Sequence, residues 1–379
     1  MSDTQYMRYF LDARTATEHF PGIGRYVSNL ARAMAAELQA GEELTLLVDV
    51  ARPSLWPLPP VSERVQQVGT AVSPFNLAQQ WQIPRLLRQY QADVYHSPYY
   101  LMPYHPGVPT ILTLYDLIPQ LFPAYFSAQR RLLANLTTRL ALHRADQVIA
   151  ISEATRQDVQ TQYAIRAQKM TVIPLAPDPR FAPQPAAEMR RVRQQYGLPE
   201  AYVLYLGINR PHKNLARLVE AWTAVPTGET ILVIGGAWDA RYPEIKERVH
   251  TLGLGKRIRF IGPVADDDLP ALYSGALFFV FPSLYEGFGL PVVEAMACGT
   301  AVITSDTSSL PEVAGNAALY VNPEDTADIT RQINRFLDNP ALVAEYQQKS
   351  QTQAQKFTWR DTAVATLNLY RQYASTDNR

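Results

Sequence analysis

The chain has 379 residues, more than one ordinary hydrophobic core organises, so two domains are expected. Apolar residues make up 47% and charged residues 18%, a globular composition that excludes wholesale disorder. Lys and Arg total 35 and Asp and Glu total 35, and a chain without basic excess is not a dedicated nucleic-acid binder. The single cysteine, Cys298, excludes an intrachain disulfide and a thiolate metal cluster and suits a reducing compartment. The opening MSDTQYMRYF lacks the charged-then-apolar pattern of a secretory signal, and no apolar run reaches bilayer length. A cytoplasmic protein is expected.

In chain order, the first half predicts strands at 9–11, 44–48, 94–96, 110–114 and 147–151, with helices at 26–38 and 128–143. Several strands are nearly all apolar, as parallel strands buried on both faces are. Their alternation with helices implies βαβ units. His19-Phe-Pro-Gly-Ile-Gly-Arg-Tyr26 lies between a strand and a helix. Gly22 and Gly24 there could approach a phosphate or an acceptor. Val27 replaces the third glycine of a dinucleotide fingerprint, and an ordinary loop is an equal alternative. Tyr115-Asp116 ends the strand 110–114, where open α/β sheets bind ligands, so Asp116 either orients a hydroxyl or is an exposed strand-end acid. His96 and Ser152 also follow strands, and a satisfied structural histidine and an N-cap serine explain them equally. Between Asp116 and Asp146 there is no acid, yet Arg130, Arg131, Arg139, His143 and Arg144 occur beside Leu132, Leu133, Leu136 and Leu140. The leucines are expected to be a core face; docking on anionic lipid is the alternative.

Five prolines in 173–185 mark a linker, giving an N-terminal domain at 1–175 and a C-terminal domain at 186–357. The second half predicts strands at 202–206, 230–234, 258–261, 277–281 and 301–304, and helices at 214–222 and 291–298. Gly207-Ile-Asn-Arg-Pro-His-Lys-Asn214 joins a strand to a helix, and Lys213 with Arg210 can set two positive charges beside a diphosphate. His212 is expected to face solvent. Asp266-Asp267-Asp268 reads as a solvated helix start, not a metal site. Phe281-Pro-Ser-Leu-Tyr-Glu-Gly-Phe-Gly-Leu-Pro-Val-Val-Glu-Ala-Met-Ala-Cys-Gly299 reads strand, tight loop, helix and glycine stop. Pro291 suits the first helical position and Gly299 the residue past the end. Gly287 and Gly289 let the backbone approach a ligand, and the helix start offers amides to an anion. Glu286 and Glu294 would repel a phosphate but can accept from hydroxyls on either side of it. A final helix at 358–375 opens on Thr358 and Asp361 and repeats Trp359, Ala363, Leu367 and Tyr370; it is expected to pack back on the N-terminal domain.

The 281–299 segment resembles the signature of glycosyltransferase family 4, retaining enzymes of the GT-B fold. The stretches 304–315, 319–325 and 264–273 are similar to that family too. The resemblance implies an α/β protein of two Rossmann-like, doubly wound parallel-sheet domains facing a cleft, the first for the acceptor and the second for a nucleotide-sugar donor. It implies that Glu294 binds ribose hydroxyls and Glu286 contacts the donor sugar. The backbone at Gly287, Phe288, Gly289 and Leu290 would hold sugar and phosphate, and Val264 would meet the base. Lys213 matches the family lysine, Ile208 takes the usual arginine place with Arg210 displaced by two, and Tyr115 replaces a histidine before Asp116. The family also places a glycine-rich loop at Gly22 and Gly24. The implied activity is metal-independent, retaining hexosyl transfer with no cofactor. The substrate would be a GDP- or UDP-sugar and the acceptor a glycan or a lipid-linked glycan, in surface polysaccharide or lipopolysaccharide synthesis. The look is nearest to mannosyl- and rhamnosyl-type members; peripheral contact with the inner membrane face and the oligomeric state stay open. An epimerase or hydrolase of the same fold and a non-catalytic nucleotide-sugar binding protein are the alternatives.

Overall fold

Two parallel sheets, one of seven strands and one of six, organise the computed structural model, which describes residues 6–226, 228 and 230–375. Residues 1–5, which open the stretch read above for a signal, lie outside the described residues. The chain divides into two compact units, Met1–Leu175 with Thr358–Arg379, and Ala176–Phe357.

The first unit contains β1 (Met7–Asp12), β2 (Glu42–Asp49), β3 (Val65–Thr70), β4 (Val94–Ser97), β5 (Thr110–Leu114), β6 (Gln147–Ala150) and β7 (Met170–Val172). Their order is β3-β2-β1-β4-β5-β6-β7, and every pairing is parallel. Strand order reverses between β1 and β4, the switch point of a doubly wound sheet. β5 and β6 are buried at every residue, which their apolar sequences require. β3 and β7 are not among the predicted strands; both are edge strands. The six residues of β3, VQQVGT, alternate burial with exposure, and β7 has only three residues.

Helix α1 (Pro21–Glu37) begins five residues before the predicted start. Pro21 has no amide to satisfy and a φ already near the helical value, so it nucleates the first turn. Gly22 and Gly24 are therefore helical residues, not members of a preceding loop. A Cβ at Gly24 would lie 2.1 Å from the Trp56 ring, so this glycine makes room for packing. Helix α2 is Gln79–Gln89, α3 is Ala128–Arg144 and α4 is Glu153–Tyr163. Ser152 caps α4 by accepting from the Thr155 amide at 3.0 Å.

In α3 the structure corrects the expected core face. Thr138, Ala141 and Leu142 are buried, whereas Leu132, Leu133, Leu136 and Leu140 are exposed. One turn of small and apolar residues suffices to seat this helix on its sheet, and the four leucines fall on the other side.

Two polar networks tie the first unit together. Arg14, whose side chain is 0% exposed, donates to both Asp12 oxygens (2.8 and 2.5 Å) and to the Val72 carbonyl (2.9 Å). Tyr95 donates its hydroxyl proton to Asp12 at 2.6 Å. Such a charge survives burial because each polar atom is matched. The C-terminal helix (Trp359–Ala374) supplies the second network. Thr358 caps it at the Asp361 amide, and Arg371 grips Glu42 at 2.6 and 3.0 Å. Tyr370 Oη lies 2.6 Å from His96 Nδ1, and His96 Nε2 lies 2.7 Å from Thr113 Oγ1. His96 is thus a structural joint between β4, β5 and this helix.

The second unit contains β8 (Tyr202–Leu206), β9 (Ile231–Gly235), β10 (Ile258–Gly262), β11 (Phe278–Phe281), β12 (Val302–Ser305) and β13 (Ala318–Val321). The order β10-β9-β8-β11-β12-β13 is parallel throughout, with its switch point between β8 and β11. β13, an edge strand like β3 and β7, is also not among the predicted strands. The helices that matter below are α5 (Leu215–Thr223), α6 (Leu290–Ala297) and α7 (Leu310–Ala314).

Burial lowers the His96 pKa from 6.5 to about 3, so the folded protein holds this ring neutral. The unfolded chain takes up a proton below 6.5. His96 therefore contributes its full stability above that pH, and the contribution is lost as pH falls toward 3, at about 1.4 kcal/mol per pH unit. Urea midpoints followed from pH 7 to 4 should drop in the wild type, and His96→Asn should drop less steeply.

Candidate functional site

The ends of β8 and β11 lie side by side at the second unit's switch point, where strand order forces their outgoing loops apart. The loop from β8 closes with a short turn, Pro211–Lys213; the loop from β11 carries Glu286. They meet through an ion pair and through the Leu284 amide, which donates to the His212 carbonyl at 2.7 Å. Lys213 Nζ donates to Glu286 Oε1 at 2.7 Å and to Oε2 at 2.8 Å. The two side chains are 16% and 9% exposed, and the ammonium lies 5.4 Å from the centre of the Phe281 ring. Residues 73 apart in sequence are thus joined at the mouth of the sheet.

Side chains that the sequence reading did not single out hold this pair. Asn214 adopts a left-handed φ of 60° and donates its amide to the Pro282 carbonyl (2.9 Å) and the Pro323 carbonyl (2.6 Å). Asn209 donates to the carbonyls of Asp239 (3.0 Å) and Tyr242 (2.6 Å) and accepts from the Asp239 amide (2.6 Å). The two asparagines staple the Lys213 loop to three neighbouring loops. On the other side, the Glu286 amide donates to Ser308 Oγ (3.1 Å), and the Glu286 carbonyl accepts from Ser309 Oγ (2.9 Å). The available signal was two asparagines flanking the basic run, and the serine pair just before α7.

Gly289 caps α6 with a φ of 101°, a conformation open to glycine, and a Cβ there would meet Leu310 at 2.8 Å. The anion cradle is narrower than the sequence suggested. Pro291 has no amide, and the Val292 and Val293 amides donate to the Gly289 carbonyl (2.9 and 3.3 Å). The amides of Phe288, Gly289 and Leu290 remain outside the helical ladder. The Phe288 ring is buried edge-on against Phe357 (5.6 Å, 87°), so only its backbone can face a ligand. Glu294 is buried in α6 and accepts from the Tyr273 hydroxyl at 3.4 Å. Gly299, with φ 75°, ends the segment as expected.

Other expectations are corrected. His212 is buried rather than solvated; burial, reinforced by the nearby Lys213 and Arg210 charges, lowers its pKa to about 3, so it adds no charge. Arg210 turns to Asp239, 3.6 Å away, whose carboxyl is held below its ordinary range mainly by the Arg241 hydrogen bond. Lys213 is then the cation that faces Glu286. Asp268 is not solvated: it is buried and accepts from Arg191 (2.7 Å), Gln195 (2.7 Å) and Tyr196 (2.9 Å). Desolvation raises its pKa, but these donors together hold it below the ordinary value. Val264 is half-buried just beyond Gly262, where β10 ends.

In the first unit, Gly22 is exposed and Gly24 buried in the first turn of α1. Asp116 Oδ1 accepts from the Ile118 amide at 3.0 Å, shaping the turn after β5. The neighbouring Tyr115 ring is half-buried and edge-on to Tyr26 (5.4 Å, 87°), and burial of its hydroxyl pushes that group's pKa far up. Loops after β1, β3 and β4 contribute an unforeseen ring cluster, with Phe20 stacked on Phe75 (5.5 Å, 13°) and Tyr99 edge-on to Phe20 (5.0 Å).

Two family models match the chain: glycosyl transferases group 1 over residues 188–357 and glycosyltransferase family 4 over residues 21–181. The chain is similar to the O-antigen chain mannosyltransferase B of Escherichia coli, 32% identical over 75% of this chain and 76% of that one. It is 33% identical to the serotype-specific mannosyltransferase WbdA of Escherichia coli over 68% of its length, spanning 33% of WbdA. HepE from Anabaena, solved in complex with UDP and glucose, superposes with a TM-score of 0.75 at 20% identity, covering 97% of this chain and 100% of HepE.

Asn214 carries the sharpest structural prediction. Asn214→Ala removes three side-chain hydrogen bonds, to the Pro282 and Pro323 carbonyls and from Arg217, and puts a Cβ-bearing residue without side-chain compensation in a left-handed conformation, at a cost of about 2–4 kcal/mol. Asn214→Gly should cost less, because it keeps the backbone freedom and loses only the bonds. Urea unfolding of the two variants measures the difference.

Proposed function

The chain belongs to the group 1 and family 4 glycosyltransferases, of GT-B fold, and from that premise we propose that it moves a hexose from a nucleoside-diphosphate sugar to a hydroxyl of a glycan acceptor, with retention at the anomeric carbon. The observation that carries the reading is the Lys213–Glu286 pair at the switch point of the second unit. An incoming diphosphate competes with Glu286 for the ammonium. As the phosphate oxygens accept the Lys213 hydrogen bonds, the carboxylate becomes available to hydroxyls of the donor sugar. The amides of Phe288, Gly289 and Leu290 add donors for phosphate or sugar oxygens. Glu294, buried in α6, accepts from ribose hydroxyls. Val264, beyond β10, borders the base.

Retention follows if the acceptor hydroxyl attacks the face that the diphosphate leaves. The anomeric carbon–phosphate oxygen bond breaks, the new glycosidic bond forms, and the hydroxyl proton passes to the departing diphosphate. Positive charge fixed at Lys213 stabilises that developing charge, usually the largest catalytic contribution. No carboxylate of the site stands out as a nucleophile, which favours this route over a covalent intermediate. With an ammonium and backbone amides in place, the transfer requires no divalent metal and no cofactor. The mannosyltransferase names of the Escherichia coli relatives support mannose as the hexose and surface polysaccharide as the product. The HepE complex supports a UDP-sugar, and a GDP-sugar fits the same charge pattern. Asp116 orients an acceptor hydroxyl or the donor sugar, and the first turn of α1 at Gly22 and Gly24 lies toward the donor phosphate or the acceptor. A lipid-carried acceptor would bring the chain to a membrane surface.

The test is direct. UDP, GDP or one of their sugars should raise the melting temperature of the protein, since a ligand bound only by the folded state stabilises it. Lys213→Gln should lower kcat/KM roughly 10²–10³-fold, the range found when one electrostatic donor is removed from a reaction site. NMR of the product should show the donor's anomeric configuration. Nucleoside diphosphate released at full rate without acceptor would favour the epimerase or hydrolase reading instead. EDTA should leave turnover unchanged; a loss restored by added Mg²⁺ would refute the metal-independent route.

A further inference from the structure

No helix among the described residues is long and apolar enough to cross a membrane. Helix α3 has two apolar sides, one buried and one exposed. At 3.6 residues per turn, Thr138, Ala141 and Leu142 share an arc of about 100°, and all three are buried. Leu132, Leu133, Leu136 and Leu140 occupy a second arc of about 100° on the opposite side. They are 61%, 63%, 56% and 38% exposed. Four large aliphatic side chains in one unpartnered patch are not a scatter of single surface residues. Arg139 lies just beyond one edge of the leucine arc and Arg144 just beyond the other, and both are exposed. His143 is exposed within the arc, and Arg130 is exposed past its Arg144 edge. No acidic residue occurs between Asp116 and Asp146 to neutralise this rim.

We propose that the leucine face of α3 seats the protein on an anionic lipid surface, the leucines entering the acyl boundary and Arg139, Arg144 and Arg130 meeting lipid phosphates. An apolar stripe bordered by basic side chains is the pattern of a helix lying in the interface plane. The arginines decide between a lipid and a second copy of this chain. A self-complementary dimer through this face would bring arginine rims together with no acid on the helix to receive them. An anionic surface instead takes both the leucines and the charges. The proposal rests on the reading that the acceptor is carried on lipid, but its own evidence is the exposed face and its rim.

Co-sedimentation of the full chain with vesicles tests it without donor or acceptor. Vesicles of equal parts phosphatidylglycerol and phosphatidylcholine should bind the protein about tenfold or more over phosphatidylcholine alone, and added salt should weaken the binding. Leu133→Asn/Leu136→Asn should lose about tenfold or more of this binding while keeping the wild-type melting temperature, because the leucines touch no core. Arg139→Gln/Arg144→Gln should lose the preference for the anionic vesicles. Equal sedimentation of wild type and leucine variant, or no binding to the anionic vesicles, overturns the proposal. So does a wild-type dimer that Leu133→Asn/Leu136→Asn converts to monomer, which assigns the face to self-association. Nucleoside diphosphate release with a soluble acceptor, measured on the same variants, reports on the transferase reading separately.

Discussion

An ammonium with little access to water must find a counter-charge, and Lys213 finds it in Glu286. That requirement organises the second unit's site. The pair links loops from two strands that are neighbours in the sheet but far apart in sequence, so it exists only once the parallel order around β8 and β11 is in place. It also sets the terms for any ligand. A group that takes the ammonium must offer at least as much negative charge as the carboxylate it displaces, and a diphosphate does. A neutral ligand would leave a partly buried charge uncompensated, which is costly. On the proposed reading, the site selects for an anion before any contact with a sugar is made.

Precision in such a pair comes from its supports. A lysine on four methylenes is a loosely held charge unless its backbone is fixed. Asn209 and Asn214 fix it by answering carbonyls and an amide of three adjacent loops, and Ser308 and Ser309 do the same for Glu286. The buried His212 between Arg210 and Lys213 stays neutral, so the loop carries its cations without a third charge beside them. Polar side chains outside the ion pair thereby decide where the charged ones stand.

The alternation of apolar strands with helices was legible because buried parallel strands have nowhere to hide a polar residue; YVLYL in β8 permits few other readings. The edge strands β3 and β7 were not, since an edge needs fewer apolar residues and tolerates fewer residues in all. Lys213, Glu286 and the α6 entry could be named from type and spacing, but not that lysine and glutamate pair with each other. That contact depends on tertiary register, as does the turn of Arg210 toward Asp239. The leucines of α3 misled for a related reason. Periodicity shows that a helix has an apolar face, and it is silent about which face meets the sheet when a second set, Thr138, Ala141 and Leu142, can do that work.

The two units place charge at equivalent points and use it differently. At the first unit's switch point, the Arg14 guanidinium is enclosed. Asp12, the Val72 carbonyl and Gln79 accept its protons, and Tyr95 donates to Asp12, so little is left to offer an incoming anion. At the second unit's switch point, Lys213 donates to a single carboxylate and keeps some access to solvent. A saturated network rigidifies a core, whereas a cation with one exchangeable partner can change partners. Similar topology thus gives a saturated structural joint in one sheet and a cation with a single exchangeable partner in the other. The difference lies in how many acceptors surround the cation, which is why the anion chemistry is assigned to Lys213 and not to the more deeply buried Arg14.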